Sequence, residues 1–590
     1  MSLGVHFMTS MAGPVRGQPH PCSARSALVT AVGPAARAGR PRPRPPARGY
    51  EMSSGVFGCL VMTALALALA VRLAGLDLRP MHHDEANQAV KVGTLLETGE
   101  YKYDRNDHHG PTLYYLTLPS AWIRGQATLA SLDERTLRAV PAVFGAGLIL
   151  LLLLLAGSLG RTAVAASALL VALSPALTYY SRFYIQESLF VFFALGFLVA
   201  LGRYSQGRRA IWAMWAGVFA GLAYATKETS VIVLLAAAAA SGLARVWTNA
   251  VSSRSSILSG AGSSANVGAG PSTTLRAGSQ DAPAFRPVTR VAHVALGLVV
   301  ALLIALVFYS SFFRYPSGLL ESFRAFTTYV ERGIAPGAHA QPWTYYLRLL
   351  AYFSSGGLVW TEGFVLALAL VGMIAALRRS NTTFWPRYIG LYSLITALSF
   401  SIVRYKTPWN VLPFYVGFVV LAGCGAAALI DMARSRVMRA LVVIALLAAA
   451  FQLGAQNWRA NFQYPSDPRN PYVYAQTSPD FLRLVQRVSD VAAVHPDRAQ
   501  MLVKVIAGPY EQWPLPWYLR RMERVGYWSR AAEAGALDDA PVIVASQDNA
   551  AAVDGVLGER FVSEFYGLRP EVILTVYIER NLWERFLKSR

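Results

Sequence analysis

Residues 54–86 read SGVFGCLVMTALALALAVRLAGLDLRPMHHDEA. A membrane-spanning helix needs about 20 predominantly apolar residues, and the run 55–76 supplies them with Arg72 as its one basic side chain. Directly after it stand His82, His83, Asp84 and Glu85. Ten further apolar runs of similar kind lie near 136–158, 162–180, 186–202, 210–226, 229–246, 291–313, 356–377, 388–403, 408–430 and 438–456. The pattern predicts a polytopic α-helical membrane protein of about eleven spans. The shorter run 113–123 predicts an interfacial helix.

Composition agrees with that class. Hydrophobic residues make up 54% of the 590 and charged residues 15%, with a positive mean hydropathy, which is a membrane balance rather than that of a soluble globular protein. The formal charge of +21 would suit a nucleic-acid surface if the basic residues formed a stripe with aromatics. They fall instead in short clusters between apolar runs, where the positive-inside rule puts them, and nucleic acid is excluded as a partner. With the N-terminus in the cytoplasm, alternate loops hold Arg161; Arg203, Arg208 and Arg209; Arg245, Arg254, Arg276 and Arg286; Arg378, Arg379 and Arg387; and Arg434, Arg436 and Arg439. All five land inside. The outer face then carries the loop 77–135, the corners 181–187, 226–228 and 404–409, the loop 314–355, and everything after about 457. The expected location is the cell (plasma or inner) membrane, with the C-terminal region extracytoplasmic.

Five regions follow: a disordered basic tail over 1–52, a first transmembrane half over 53–249 with the outer loop 77–135, a Ser, Gly and Ala-rich cytoplasmic linker over 250–288, a second half over 289–457, and an extracytoplasmic α/β domain over 458–590. The first fifty residues hold seven Arg and no acidic side chain, a composition that buries no core, and Met52 is a plausible start. Within the last region, strands are expected over 501–506, 541–545 and 571–578, and helices over 479–491 and 582–587. The three cysteines, Cys22, Cys59 and Cys424, make neither a disulfide framework nor a zinc-type pair.

The chemistry concentrates on the outer loops. The patch 81–86 is followed by Asp104-Arg105-Asn106-Asp107-His108-His109, and the two hold four of the nine histidines. A carboxylate at a membrane boundary loses solvation, which raises its pKa toward values useful in a general base; a polar, solvated interfacial loop is the plainer alternative. His and carboxylate together also suit zinc or manganese, so His83, Asp107 and His108 are candidate ligands and a divalent metal ion is the one cofactor left open. Adjacent histidines on a regular backbone point apart, so one of each pair is expected to face a given ion. Arg182 and Glu187 stand at one corner, Lys227 and Glu228 at another, and Arg404, Lys406 and Trp409 at a third. These cations could hold a phosphate at headgroup level. A structural Arg182–Glu187 pair and interfacial anchoring at 404–409 account for the same residues equally simply.

The loop His83-Asp84-Glu85-Ala86 resembles the Asp-Glu element of the polyprenyl-phosphate-sugar-dependent glycosyltransferases of GT-C fold, which include the protein O-mannosyltransferases and the lipid A aminoarabinose transferases. The run from His82 through Gly110 to Tyr115, with 181–187, Lys227-Glu228, 404–409 and the segment from Trp513 to Arg520, is similar to a prokaryotic group of flippase-activity-associated, glycosyltransferase-39-like membrane proteins. The likeness runs from about 55 to 580, outside the tail and the linker. It implies sugar transfer from a polyprenyl-phosphate-linked donor to an envelope glycan, lipid or protein acceptor. Asp84 would be the general base, with Glu85 and Glu187 orienting a substrate or holding an ion. Arg182, Lys227, Arg404 and Lys406 would meet the leaving phosphate, with Trp409 beside the substrate. The chain has no nucleotide-sugar Asp-X-Asp motif and no dinucleotide fingerprint, as such a donor requires. The double histidine departs from the wider superfamily's pattern. A non-enzymatic helper in the translocation of lipid-linked glycans is the alternative role.

Overall fold

The computed structural model describes residues 52–107, 109–261, 287–334, 339–378 and 384–590; the expected tail, most of the expected linker, and His108 lie outside them. Among the described residues seven helices are long and apolar enough to cross a membrane: Ser54–Leu73, Glu134–Leu153, Glu187–Gly207, Ser230–Ala250, Thr289–Tyr309, Pro408–Met432 and Arg436–Gln463. An eighth is a bent pair, Arg161–Leu173 and Pro175–Ser181, which turns by 57° at Ser174. Two of the expected spans are helices of lesser length, Ala210–Thr226 and Gly363–Arg378, and another is the helix Phe384–Ile402. The chain is a multi-pass membrane protein; among the described residues seven to eight helices pass by length and apolar composition, and the other three expected runs also hold helices.

One run begins differently from its expectation. Residues 353–360 form an antiparallel hairpin that pairs Phe353 with Trp360, because Gly356 and Gly357 both take positive φ, 51° and 79°, a conformation open to glycine at no steric cost. The helix starts only at Gly363. The helix Ser230–Ala261 continues into the stretch expected as linker.

Helices in lipid associate through close packing, which small residues allow. A Cβ on Gly217 would lie 2.3 Å from the carbonyl oxygen of Gly297, and one on Gly425 would lie 2.0 Å from that of Leu368. These contacts join Ala210–Thr226 to Pro287–Tyr309, and Gly363–Arg378 to Leu412–Met432.

Near the C-terminus a five-stranded sheet runs in the order Val525–Trp528, Val503–Ile506, Val542–Ser546, Val572–Glu579, Phe561–Arg569. The first three strands are parallel and the last two pair antiparallel. Val542–Ser546 is buried along its whole length, as a central strand covered on both faces requires. Val503, Val505, Val542 and Val544 meet the helices Pro479–Val494 and Arg580–Lys588 on one face, while Ile506, Ile543 and Ala545 meet Gln547–Leu557 on the other. Three strands and two helices fall where the sequence placed them; Val525–Trp528, Phe561–Arg569 and Gln547–Leu557 are additional.

This region is fastened to the first loop by side chains of the segment 513–520. The Tyr518 hydroxyl accepts from the Met81 N–H at 2.9 Å, Trp517 Nε1 donates to Glu134 Oε1 at 2.9 Å, and Arg520 Nη2 donates to the Leu132 carbonyl at 2.8 Å. At the other side of the loop, Arg182 donates to the carbonyls of Val71, Ala74 and Gly75 at 2.6, 2.5 and 2.9 Å. The Val71 oxygen belongs to the last helical turn, whose carbonyls lack intrahelical partners, Ala74 and Gly75 follow the helix end, and a cation suits that end of the dipole. Arg182→Ala is therefore expected to destabilise the protein by about 2–3 kcal/mol, seen as a lower melting temperature in detergent, with Arg182→Lys intermediate. An unchanged melting temperature would remove Arg182 from this capping role.

Candidate functional site

The sequence His82-His83-Asp84-Glu85 forms the N-terminus of the helix His83–Thr98. His82 is the N-cap: its Nδ1 accepts from the Asp84 N–H at 3.1 Å, and Glu85 Oε2 accepts from the His82 N–H at 3.0 Å. This reciprocal arrangement is a capping box, with the two acids in the first turn, where the helix dipole favours them.

Glu85 has no solvent exposure. Arg138, from the helix Glu134–Leu153, reaches it through Nε and Nη2, each at 2.7 Å. The rest of the guanidinium donates to the carbonyls of Leu76 and Arg79 and, at 3.2 Å, of Pro80. All five N–H donors that an arginine carries have an acceptor. Glu85 also accepts from the Tyr184 N–H at 2.8 Å. Burial alone would raise the carboxyl's pKa; Arg138 and Arg79 outweigh it and hold Glu85 down at about 2.

Asp84 differs from its neighbour in every respect. Its side chain keeps 19% exposure, and His83 Nε2 lies 3.1 Å from Oδ1. His82 is fully buried, and burial lowers its pKa to about 3. A neutral ring agrees with its bonds: Nδ1 accepts from Asp84 N–H, leaving Nε2–H to donate to the Tyr474 carbonyl at 3.1 Å. Its 3.7 Å approach to the Asp84 carboxylate is thus no ion pair. Aromatic rings wall this corner: Trp409 stands 5.6 Å from Tyr474, 6.2 Å from His82 and 6.3 Å from Phe183, centroid to centroid.

Segments 339–341 and 404–406 meet as a short antiparallel bridge, with Lys406 N–H donating to the His339 carbonyl and Gln341 N–H to that of Arg404. This brings His339 to the Tyr474 hydroxyl, near enough to Asp84 and His83 that both act on its pKa, which burial lowers. Lys406 is buried, with Nζ donating to the carbonyls of Gln341 and Val403. Arg404 is exposed and makes no ion pair among the described residues. Lys227 and Glu187 are brought together at 2.6 Å, both buried, and Lys227 also donates to Asn410 Oδ1 at 3.1 Å.

The second sequence patch is tied to the first through Lys91. Its Nζ lies 3.0 Å from Asp107 Oδ2; burial lowers its pKa, while Asp107, Asp104 and Asp84 oppose that fall. His109 Nδ1 lies 3.5 Å from buried Glu228, which also accepts from the Tyr103 and Tyr309 hydroxyls. Donor atoms of His82, His83 and Asp84 all fall within 4.8 Å of one another, so the two adjacent rings converge where a regular backbone would have turned them apart. The helix cap is the reason, since it puts His82 outside the helix and His83 inside.

His339, Tyr474, Asn410 and Arg138 are the neighbours the sequence reading missed. His339 lies in the outer loop 314–355 and Asn410 next to Trp409, so location offered a signal for both. Arg138 and Tyr474 carried none.

Residues 117–262 match the family model of dolichyl-phosphate-mannose-protein mannosyltransferases. Among solved structures, ArnT from Cupriavidus metallidurans bound to undecaprenyl phosphate is similar with a TM-score of 0.56 at 14% identity, covering 89% of this chain and 98% of that one. Its apo form gives 0.53 at 17% identity, over 88% and 98%. An Archaeoglobus fulgidus oligosaccharyltransferase tethered with an acceptor peptide gives 0.50 at 13% identity, over 90% and 77%. No curated protein matches the sequence. The chain has the fold of the GT-C superfamily, as its loop motif led us to expect.

Two outcomes test this architecture. Glu85→Gln leaves Arg138 charged and buried opposite a neutral group, and is expected to cost about 3–5 kcal/mol in thermal or denaturant unfolding. For pH, the unfolded chain protonates His82 near 6.5 and Glu85 near 4.5, the folded chain only near 3 and 2. The unfolded state therefore binds more protons, so stability falls as pH drops from 6.5 for His82 and from 4.5 for Glu85. Melting curves should show His82→Asn flattening the dependence between pH 6.5 and 4.5 and leaving only the Glu85 contribution below 4.5.

Proposed function

We propose that this protein is a membrane glycosyltransferase that moves a sugar from a polyprenyl-phosphate-linked donor to an acceptor hydroxyl on the outer face, with Asp84 as general base. The observation that carries the reading is the contrast between two adjacent acids. Glu85 is sealed in an ion pair, whereas Asp84 keeps solvent access beside His83. The basic loops support an outward-facing site, with the C-terminal sheet on that same side.

In this scheme the acceptor oxygen attacks the anomeric carbon as its proton passes to Asp84. The bond from that carbon to the phosphate oxygen breaks, polyprenyl phosphate leaves with the electron pair, and the configuration inverts, as in single-displacement glycoside chemistry. Lys227 has three N–H donors, two of them engaged by Glu187 and Asn410; the third, with exposed Arg404, is suited to the leaving phosphate. Glu187 positions Lys227. Arg182 and Lys406 are bound to backbone carbonyls and shape the corners. Trp409 walls the corner beside Asp84, packed against His82, Phe183 and Tyr474.

A divalent cation would draw on His83, whose Nδ1 is buried without a hydrogen-bond partner, and on Asp84. His82 has both nitrogens engaged, so the described residues alone fall short of the three or four ligands a zinc site uses. No step above is routed through a metal.

Envelope glycans compared by mass spectrometry in a deletion strain, rescued with native protein or Asp84→Asn at matched membrane levels, test the proposal. Transfer should fall by about 10²–10⁴-fold in Asp84→Asn. Full rescue would favour the translocation-helper role. Lys227→Met should lower kcat/KM for the lipid-linked donor by about 10²-fold, measured as initial rates in proteoliposomes.

A further inference from the structure

Two cavities outside the Asp84 corner share one residue. The first is a groove of about 630 Å³ between the helix Arg161–Leu173 and the last apolar helix, floored by Leu169, Leu173, Phe451 and Gly454 and ending at Arg459 and Gln463. The second, of about 600 Å³, lies on the other side of Gln463 beneath the end of the strand Phe561–Arg569 and Pro570, and its lining includes Tyr464, Ser466, Asp467 and Arg569. The first is apolar apart from its end; the second mixes Leu78, Val473 and several prolines with Ser466, Asp467, Gln476 and Arg569.

From Leu447 to Arg459 the helix rises about 18 Å, close to half of a hydrocarbon core about 30 Å thick. The groove thus has the depth of one leaflet. At its polar end Arg459 is held over the faces of Trp360 and Tyr464, at 5.1 and 5.8 Å, and has no carboxylate partner among the described residues. An arginine at a membrane boundary without an acid beside it is matched to a lipid phosphate. The backbone there widens into a π-helical turn, Arg459–Gln463, a form frequent at functional sites. Beyond it the Ser466 hydroxyl is buried with no hydrogen-bond partner, so the second cavity has on its wall an unsatisfied group that a hydroxyl-bearing headgroup would complete.

We propose that these two adjoining cavities together bind one phospholipid with a hydroxyl-rich head: acyl chain in the groove, phosphate at Arg459, head in the cavity beside Gly567, Arg569 and Pro570. The site is separated from Asp84 by the segment 473–478. Val473, Ala475 and Gln476 face the cavity, while the Tyr474 carbonyl receives His82 and the Thr477 hydroxyl donates to the Met81 carbonyl.

The test uses the full-length protein in detergent, mixed with equal amounts of phosphatidylinositol and phosphatidylcholine, with retained lipid counted by native mass spectrometry. The native protein should retain phosphatidylinositol about fivefold over phosphatidylcholine, the ratio given by about 1 kcal/mol for one basic residue at a lipid headgroup. Arg459→Gln should abolish that ratio. Ala455→Phe, which fills the groove from an exposed position, should reduce retention of both lipids at an unchanged melting temperature. Asp84→Asn should keep the full ratio, so failure of sugar transfer and failure of this site are read separately. Equal retention of the two lipids by the native protein, or an undiminished ratio in Arg459→Gln, would overturn the proposal, as would loss of the ratio in Asp84→Asn.

Discussion

The ion pair of Glu85 and Arg138 sits where two charges cost most, with 0% and 1% of their side chains exposed. Removing an ion from water is repaid only where geometry is good and every remaining lone pair and proton finds a partner. Here that condition is met in full. Arg138 has five acceptors on four residues of the loop 76–85, and Glu85 has backbone donors at His82 and Tyr184 besides its guanidinium. One pair thereby fixes the loop leaving the first helix, the start of the helix His83–Thr98, and the corner 181–187. Asp84 is placed as a by-product: with His82 and Glu85 held from inside, its own carboxylate keeps solvent access. Breaking the pair would not touch Asp84 chemically and would still remove the reason for its position.

Much of this was legible in the sequence at the level of elements. Apolar runs marked the helices because a span must satisfy its backbone internally, and the central strands of the sheet were readable as short buried runs. The His-His-Asp-Glu loop, the corners 181–187, 226–228 and 404–409, and the segment 513–520 all identified regions that meet. Individual roles were less legible. Asp84 and Glu85 are chemically near-identical and adjacent, and what separates them is Arg138, fifty-three residues further on. Arg182 read as a phosphate candidate because cations at membrane depth usually have a task; its guanidinium is hydrogen-bonded to carbonyls at the end of a helix, which no local pattern announces. The hairpin 353–360 was hidden because two glycines and an apolar flank look alike in a strand and in a span.

A second buried carboxylate resolves a different constraint. The bend at Ser174–Pro175 breaks a helix in the membrane region, and a broken helix there needs other partners for its freed backbone groups. Glu362 supplies them. Its oxygens accept from the Ala176 N–H at 2.9 Å and the Ser174 hydroxyl at 2.8 Å, and from the hydroxyls of Tyr415 and, at 2.7 Å, Tyr472. Three separate segments, 174–176, Tyr415 and Tyr472, meet on that one carboxylate.

Tyr472 begins the segment that joins the two hubs. Its carbonyl accepts from the Tyr180 hydroxyl, the Tyr474 carbonyl from His82, and Gln476 and Thr477 donate to the carbonyls of Pro80 and Met81. Within six residues the chain passes from Glu362 to the loop that Arg138 holds, then enters the helix Pro479–Val494 on the face of the sheet. Because these bonds are mostly made by or to the backbone, they constrain the path of the segment more than the identity of its side chains. The C-terminal sheet is therefore no appendage to the membrane helices. Displacing it would pull on the Met81 N–H that Tyr518 receives and on the Tyr474 carbonyl that His82 meets, and so on the cap that presents Asp84.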